Sequence, residues 1–241
     1  MRGPSSGILS FGMAAGLALG GGVPAQSADG TRREFIQRKL AAIEQFASAN
    51  QAKLRRYTWT ETVRYLLNGE LRSTRRFVCR YGPDGSIERT PAGGPAPAAE
   101  SKDGPFRPSA REATPEDLEA FLASVRTAVG LYVPPDIGRM QQAFQAGRVR
   151  VDRRAQGEAL LDFQSYAKPG DAMVLDFRTD AKRLESLKVE TYLGDPSEPI
   201  ALDVRFAALP DGTNHPEDVE VSASAKAVRV MITNGDYRPA P

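Results

Sequence analysis

Between Arg55 and Tyr81 the odd positions are Tyr57, Trp59, Val63, Tyr65, Leu71, Phe77, Cys79 and Tyr81, and the even positions are mostly threonine and arginine. Side chains on a strand alternate between faces, so this pattern predicts a β-hairpin with one apolar and one wet face. An isolated hairpin of that kind is marginal in water. Its apolar side needs a cover, which the chain's own helices, a partner or a lipid-like ligand could provide.

The alternation also constrains register. A two-residue loop at Asn68 and Gly69 would set the apolar face of one strand beside the charged face of the other. A three-residue loop of Leu67, Asn68 and Gly69, with Gly69 as a left-handed bulge, instead sets odd against odd. Trp59 is then expected opposite Phe77, Tyr57 opposite Cys79, and Glu61 opposite Arg75.

The chain has 241 residues, of which 41% are hydrophobic and 26% charged. That suits a leader followed by one domain of about 200 residues, large enough to fold around its own core. Residues 1–27 read as a signal peptide: Arg2 is followed by the uncharged stretch Ile8 to Leu19, and Ala25, Gln26 and Ser27 form a small-x-small cleavage site. The apolar stretch is shorter than the ~20 residues a membrane span needs, so no transmembrane segment is expected. Residues 28–241 read as a single domain, soluble and either periplasmic or secreted.

Within that domain Thr31 and Glu34 form a capping-box signature, and Ile36, Leu40, Ile43 and Ala47 recur at helical spacing, predicting a helix over 32–49. Residues 90–110 are crowded with Pro, Gly and Ala and read as a flexible loop. Thr114, Pro115 and Asp117 open a second helix with the stripe Leu118, Phe121, Leu122, Val125 and Val129. A shorter helix carries Ile137, Met140 and Phe144 and stops at Gly147. From there the period switches to two, with strands expected at 148–153, 158–166, 172–178, 184–193, 200–209, 217–224 and 227–233. Short turns between consecutive strands make an antiparallel meander.

The order of helix, hairpin, helix pair and long meander, behind a leader, resembles the periplasmic lipoprotein carriers of the LolA and LolB type and the wider outer-membrane lipoprotein-sorting-like group. The resemblance rests on element order and on no diagnostic motif. It implies an α+β fold: a strongly curved antiparallel sheet, an incomplete barrel, with the N-terminal helix and the inserted helix pair packed on its concave face. It also implies an exported soluble carrier that shelters an apolar or acylated ligand, a lipid or lipoprotein. Tyr57, Trp59, Val63, Tyr65, Leu71 and Phe77 are the candidate ligand-binding residues by face alone. The alternative is a non-enzymatic structural or adaptor protein of the cell envelope, acting through contacts with a protein partner.

Searching for chemistry yields little. His215 is the sole histidine, and G-x-S-x-G, Walker and G-x-G-x-x-G patterns are absent outside the leader. No catalytic residue, metal ligand or cofactor is expected, and the chain does not read as an enzyme. Asp211, Asn214, His215, Glu217 and Asp218 cluster where a divalent ion could bind, but the same residues suit a solvated turn, which is preferred. Cys79, the sole cysteine, reads as core filler; a reactive thiol is the other reading. Arg64, Arg72, Arg76 and Arg80 form a basic patch on the wet face of the hairpin, either simply solvated or meeting an anionic surface. With a net charge of +2 and inward-facing aromatics, nucleic acid is not an expected partner.

Overall fold

A computed structural model describes residues 26–93, 115–153 and 157–240. Among them are helices α1 (Gln26–Leu54), α2 (Pro115–Gly130) and α3 (Ile137–Gln145). The N-terminal strands are β1 (Tyr57–Leu67), β2 (Glu70–Tyr81) and β3 (Ile87–Pro91). After α3 follow β4 (Val149–Arg153), β5 (Glu158–Gln164), β6 (Ala172–Arg178), β7 (Arg183–Tyr192), β8 (Pro199–Ala208), β9 (Asn214–Ala223) and β10 (Val228–Pro239). The strands form one antiparallel sheet in the order β3-β2-β1-β10-β9-β8-β7-β6-β5-β4. This is the expected α+β architecture: a curved sheet, not closed into a barrel, with helices on its concave face.

Every neighbouring pair except one is a sequence neighbour, and the exception is decisive. Pairing of β1 with β10 joins the N-terminal hairpin to the end of the meander. The resulting core is continuous. Val63 and Tyr65 of β1, Leu161 and Phe163 of β5, Leu175 of β6, Val204 of β8 and Val230 of β10 are buried with Ile36, Leu40 and Ile43 of α1, Leu122 and Val125 of α2, and Met140 of α3. The helix residues fall three or four apart, so each helix presents one stripe to the sheet. Phe46 of α1 meets Phe177 of β6 edge-on, with centroids 5.7 Å apart. The opposite face of the sheet is polar and laced with exposed pairs such as Lys188 with Asp203 at 2.9 Å and Arg229 with Glu220 at 3.1 Å.

The hairpin keeps odd against odd, but its register differs from the expected one by two residues. Trp59 stands opposite Cys79, Glu61 opposite Phe77, and Val63 opposite Arg75. The loop has two residues, Asn68 and Gly69, both with positive φ (52° and 81°), and Leu67 pairs with Glu70. Such a turn matches the right-handed twist of the strands. Parity is restored one step later, where Arg72 is an extra residue in β2 between Leu71 and Ser73.

Two further differences concern element ends. The first helix begins at Gln26, so Thr31 lies inside it and does not cap it. β3 occupies Ile87–Pro91 and takes in Thr90 and Pro91, the first two residues of the expected loop 90–110, of which residues 94–110 lie outside the described residues. The expected signal peptide lies outside them too, apart from Gln26 and Ser27. Among the described residues no helix is long and apolar enough to cross a membrane.

Candidate ligand-binding site

At the β1–β10 seam the strands do not run straight. Thr58 pairs with Arg238 but Thr60 with Gly235, so β10 carries one extra residue opposite Trp59, and Asp236 there takes a positive φ of 54°. Val228, Val230, Ile232 and Asn234 point inward from β10. The bulge shifts the alternation by one and brings Tyr237 onto the same face. Its ring stacks on Trp59 with centroids 5.7 Å apart and an interplanar angle of 12°. The Trp59 indole N–H donates to Asn234 Oδ1 at 3.1 Å, and the Tyr81 ring meets the indole at a tilt of 45° with centroids 5.3 Å apart.

This aromatic wall borders a cavity of about 210 Å³ between the sheet and α2. Trp59, Glu61, Tyr81, Arg89, Asn234 and Tyr237 line it from the sheet side, and Arg126, Val129 and Val133 from α2 and the segment after it. A second hollow of about 80 Å³ adjoins it, sharing Leu54, Tyr81, Ile87, Val133 and Pro216, and extends between α1 and the sheet to Phe46, Leu184 and Phe206. The first has charged groups in its wall; the second has none.

Glu61 is the buried charge of this site, its side chain 6% exposed. Arg89 of β3 grips it with two hydrogen bonds, Nε to Oε1 at 2.8 Å and Nη2 to Oε2 at 3.1 Å. A bidentate pair of this kind satisfies both carboxylate oxygens and neutralises the charge. Glu61 does not stand opposite Arg75, the partner expected from the alternation. Instead, Arg75 reaches Glu119 of α2, because the two-residue shift in register places Phe77 opposite Glu61. Arg126 carries the other cation of the wall. Its guanidinium lies 5.9 Å from the centroid of the Phe77 ring, and it makes no ion pair among the described residues.

Burial raises the pKa of the Tyr81 and Tyr237 phenols, so both stay protonated at neutral pH and can donate hydrogen bonds. Burial, with the nearby Glu61 charge, pushes the Cys79 thiol up to about 12. Cys79 is fully buried and behaves as the expected core residue rather than a reactive thiol.

Of the six residues expected to bind ligand, Trp59 lines the cavity. Val63 and Tyr65 are buried in the central core, Tyr65 edge-on to Phe121 at 6.3 Å. Phe77 is half-buried beneath Arg126. Tyr57 is half-buried at the open end of β1, where the Asp211 carboxylate facing its hydroxyl raises its pKa. Leu71 is a correction: at the hairpin tip it is 53% exposed, because the bulge at Arg72 takes it away from the apolar face. The arginine patch is exposed, but Arg72 pairs with Glu70 at 2.9 Å and Arg80 with Glu88 at 2.7 Å. Arg64 and Arg76 make no ion pair among the described residues.

The segment from Thr213 to His215 is not the solvated turn expected of it. Thr213, Asn214 and His215 are buried, and the latter two begin β9. Asn214 exchanges hydrogen bonds with Asn50 of α1, accepting at 2.6 Å through its carbonyl and donating at 2.7 Å through its backbone N–H. The His215 ring lies against Tyr237 at 4.2 Å, and burial lowers its pKa. Asp218 is held by Arg205. Among the described residues no three His, Cys, Asp or Glu side chains converge on a point where a metal could sit.

Among solved structures, the chain is similar to a DUF1329 family protein from Desulfovibrio piger, with a TM-score of 0.38, 14% identity, and coverage of 83% of this chain and 92% of that one. It is also similar to a LolA superfamily protein from Nitrosomonas europaea, with a TM-score of 0.35, 8% identity, and coverage of 81% and 94%. No family model and no curated protein matches. At these TM-scores neither likeness carries a ligand, partner or activity over to this chain.

Proposed function

We propose that the protein is an exported, non-enzymatic carrier or binding protein that shelters an apolar or acylated ligand between its sheet and its helices. The observation supporting this reading is the mostly apolar cavity behind Trp59, adjoined by the hollow that reaches Phe46 and Phe206. Each methylene moved from water into such a space contributes about 0.8 kcal/mol. Export rests on the leader-like residues 1–27. Native mass spectrometry of protein purified from a membrane-containing lysate, together with titration of a fluorescent fatty-acid probe, tests the reading. A co-purified ligand and probe binding are expected; a ligand-free mass with no probe binding refutes it.

One observation favours a second reading, an adaptor acting through protein contacts. The stripes of α2 and α3 fill the middle of the concave face, and the cavity left over is smaller than the roughly 300–1,000 Å³ of drug-sized ligand sites. The same experiment separates the two, since an adaptor takes up neither lipid nor probe.

A further inference from the structure

The cavity is electrically asymmetric. Of the three charged side chains in its wall, Glu61 and Arg89 cancel in a bidentate pair, and Arg126 has no carboxylate beside it among the described residues. One positive charge is therefore left over in a mostly apolar, partly water-excluded space, where an opposite charge interacts far more strongly than in bulk water. The phenols of Tyr81 and Tyr237 line the same cavity, both kept in the donor form. Neither hydroxyl has a hydrogen-bond partner among the described residues, and both rings form part of the wall. The smaller hollow that adjoins the cavity is lined by Phe46, Ile137, Leu184 and Phe206, with the uncharged Asn50, Gln51 and Asn214 and no charged group.

An unpaired cation and two phenol donors in the wall of the larger cavity, and only uncharged lining in the smaller hollow that adjoins it, define the ligand's polarity. Resting on the carrier reading above, we propose that this cavity takes a single-chain amphiphile with an anionic head, the head against Arg126 and the tail directed toward Phe46 and Phe206. The small volume of the inner hollow restricts it to one short or medium chain. A guanidinium recognises a carboxylate or a phosphate monoester through paired N–H donors. An alcohol of the same length would fill the tail space equally well and leave Arg126 unpaired.

Trp59, the chain's one tryptophan, stands in the cavity wall and reports occupancy by its own fluorescence. Decanoate, decyl phosphate and decanol are titrated below their aggregation limits into the full chain and into Arg126→Gln and Arg126→Lys. At least one anionic probe is expected to bind about tenfold or more tighter than decanol, with that preference lost in Arg126→Gln and kept in part by Arg126→Lys. Glutamine is a good helix former at this half-buried position, and the thermal unfolding of each variant confirms that it is folded. Equal binding of decanol and both anions overturns the inference and leaves the carrier reading standing. A preference that persists in Arg126→Gln removes Arg126 from the site. If no decyl probe binds although native mass spectrometry finds a co-purified lipid, the inference falls alone; if that lipid is absent too, both fall.

Discussion

Replacing Asp171 by alanine removes the acceptor at the centre of a buried polar knot. The carboxylate is 1% exposed and takes hydrogen bonds from the backbone N–H groups of Tyr166 (2.5 Å), Ala167 (3.0 Å) and Lys168 (2.7 Å) and from the Tyr132 hydroxyl (2.6 Å). It thus ties the β5–β6 turn to the segment following α2, which in turn holds α2 against the sheet. Hydrogen bonds to a charged group contribute about 1.5–3 kcal/mol each, and neighbouring ones do not add. Ala167 and Lys168 are half-buried and their N–H groups can turn to water, whereas Tyr166 N–H and Tyr132 Oη are buried. The Tyr132 hydroxyl can turn its proton to Thr191 Oγ1 at 2.8 Å, so one stranded donor, the Tyr166 N–H, sets the scale, and Asp171→Ala is expected to cost about 2–3 kcal/mol. Asp171→Asn retains one carbonyl acceptor and is expected to lose roughly half of that. Urea unfolding at pH 7 reads the change as a shift in midpoint at constant m-value. A loss below about 1 kcal/mol in the alanine variant, with m unchanged, would refute the reasoning, since it would mean that water replaces all four bonds without penalty.

Arg89→Met leaves the buried Glu61 carboxylate unpaired, whereas Glu61→Gln leaves Arg89, whose side chain is 29% exposed, within reach of water; the first is expected to cost about 2–4 kcal/mol and the second clearly less, both by urea unfolding. His215 has its pKa lowered by burial, so the unfolded chain binds a proton near pH 6.5 while the native state resists it. Its contribution to stability is complete above that pH and declines as the pH falls through it toward the lower native value. Unfolding midpoints compared at about pH 7.5 and 5.5 are expected to show this slope, flattened in His215→Gln. The Phe46–Phe177 contact joins α1 to the sheet, and Phe177→Ala is expected to lose about 3–5 kcal/mol in the same assay. Gly69→Ala forces a methyl group onto a residue with φ of 81°, and a loss of about 1 kcal/mol in thermal unfolding is expected.

The strands after Gly147 were legible because each is short, alternating and bounded by turn residues, and all seven expected segments appear as β4 to β10 with ends moved by up to three residues, except that β10 runs on past the expected 233 to Pro239. The helical stripes at Ile36, Leu40 and Ile43 and at Ile137, Met140 and Phe144 were legible for the same local reason. The site was not. Trp59 alone was foreseen in the cavity wall, because the other contributors come from elements whose inward face depends on a bulge or a distant pairing. Tyr237 reaches the wall only through the extra residue in β10, and Arg89 only because β3 adds to the edge of β2. A hint existed in Glu61, an acid at an apolar-face position of a strand, which demands a buried cation, although nothing local says which arginine supplies it.

Alternation and helical spacing, read along the chain, determined that this is a one-sheet protein with helices on its greasy side, because side-chain periodicity is a local property of the backbone. Only the tertiary structure decided where the hairpin joins the meander, which arginine quenches Glu61 and which is left over, and how much space remains behind Trp59. Those outcomes depend on pairings across much of the chain's length and on single-residue register shifts, and one inserted residue is enough to turn a side chain from solvent into the cavity.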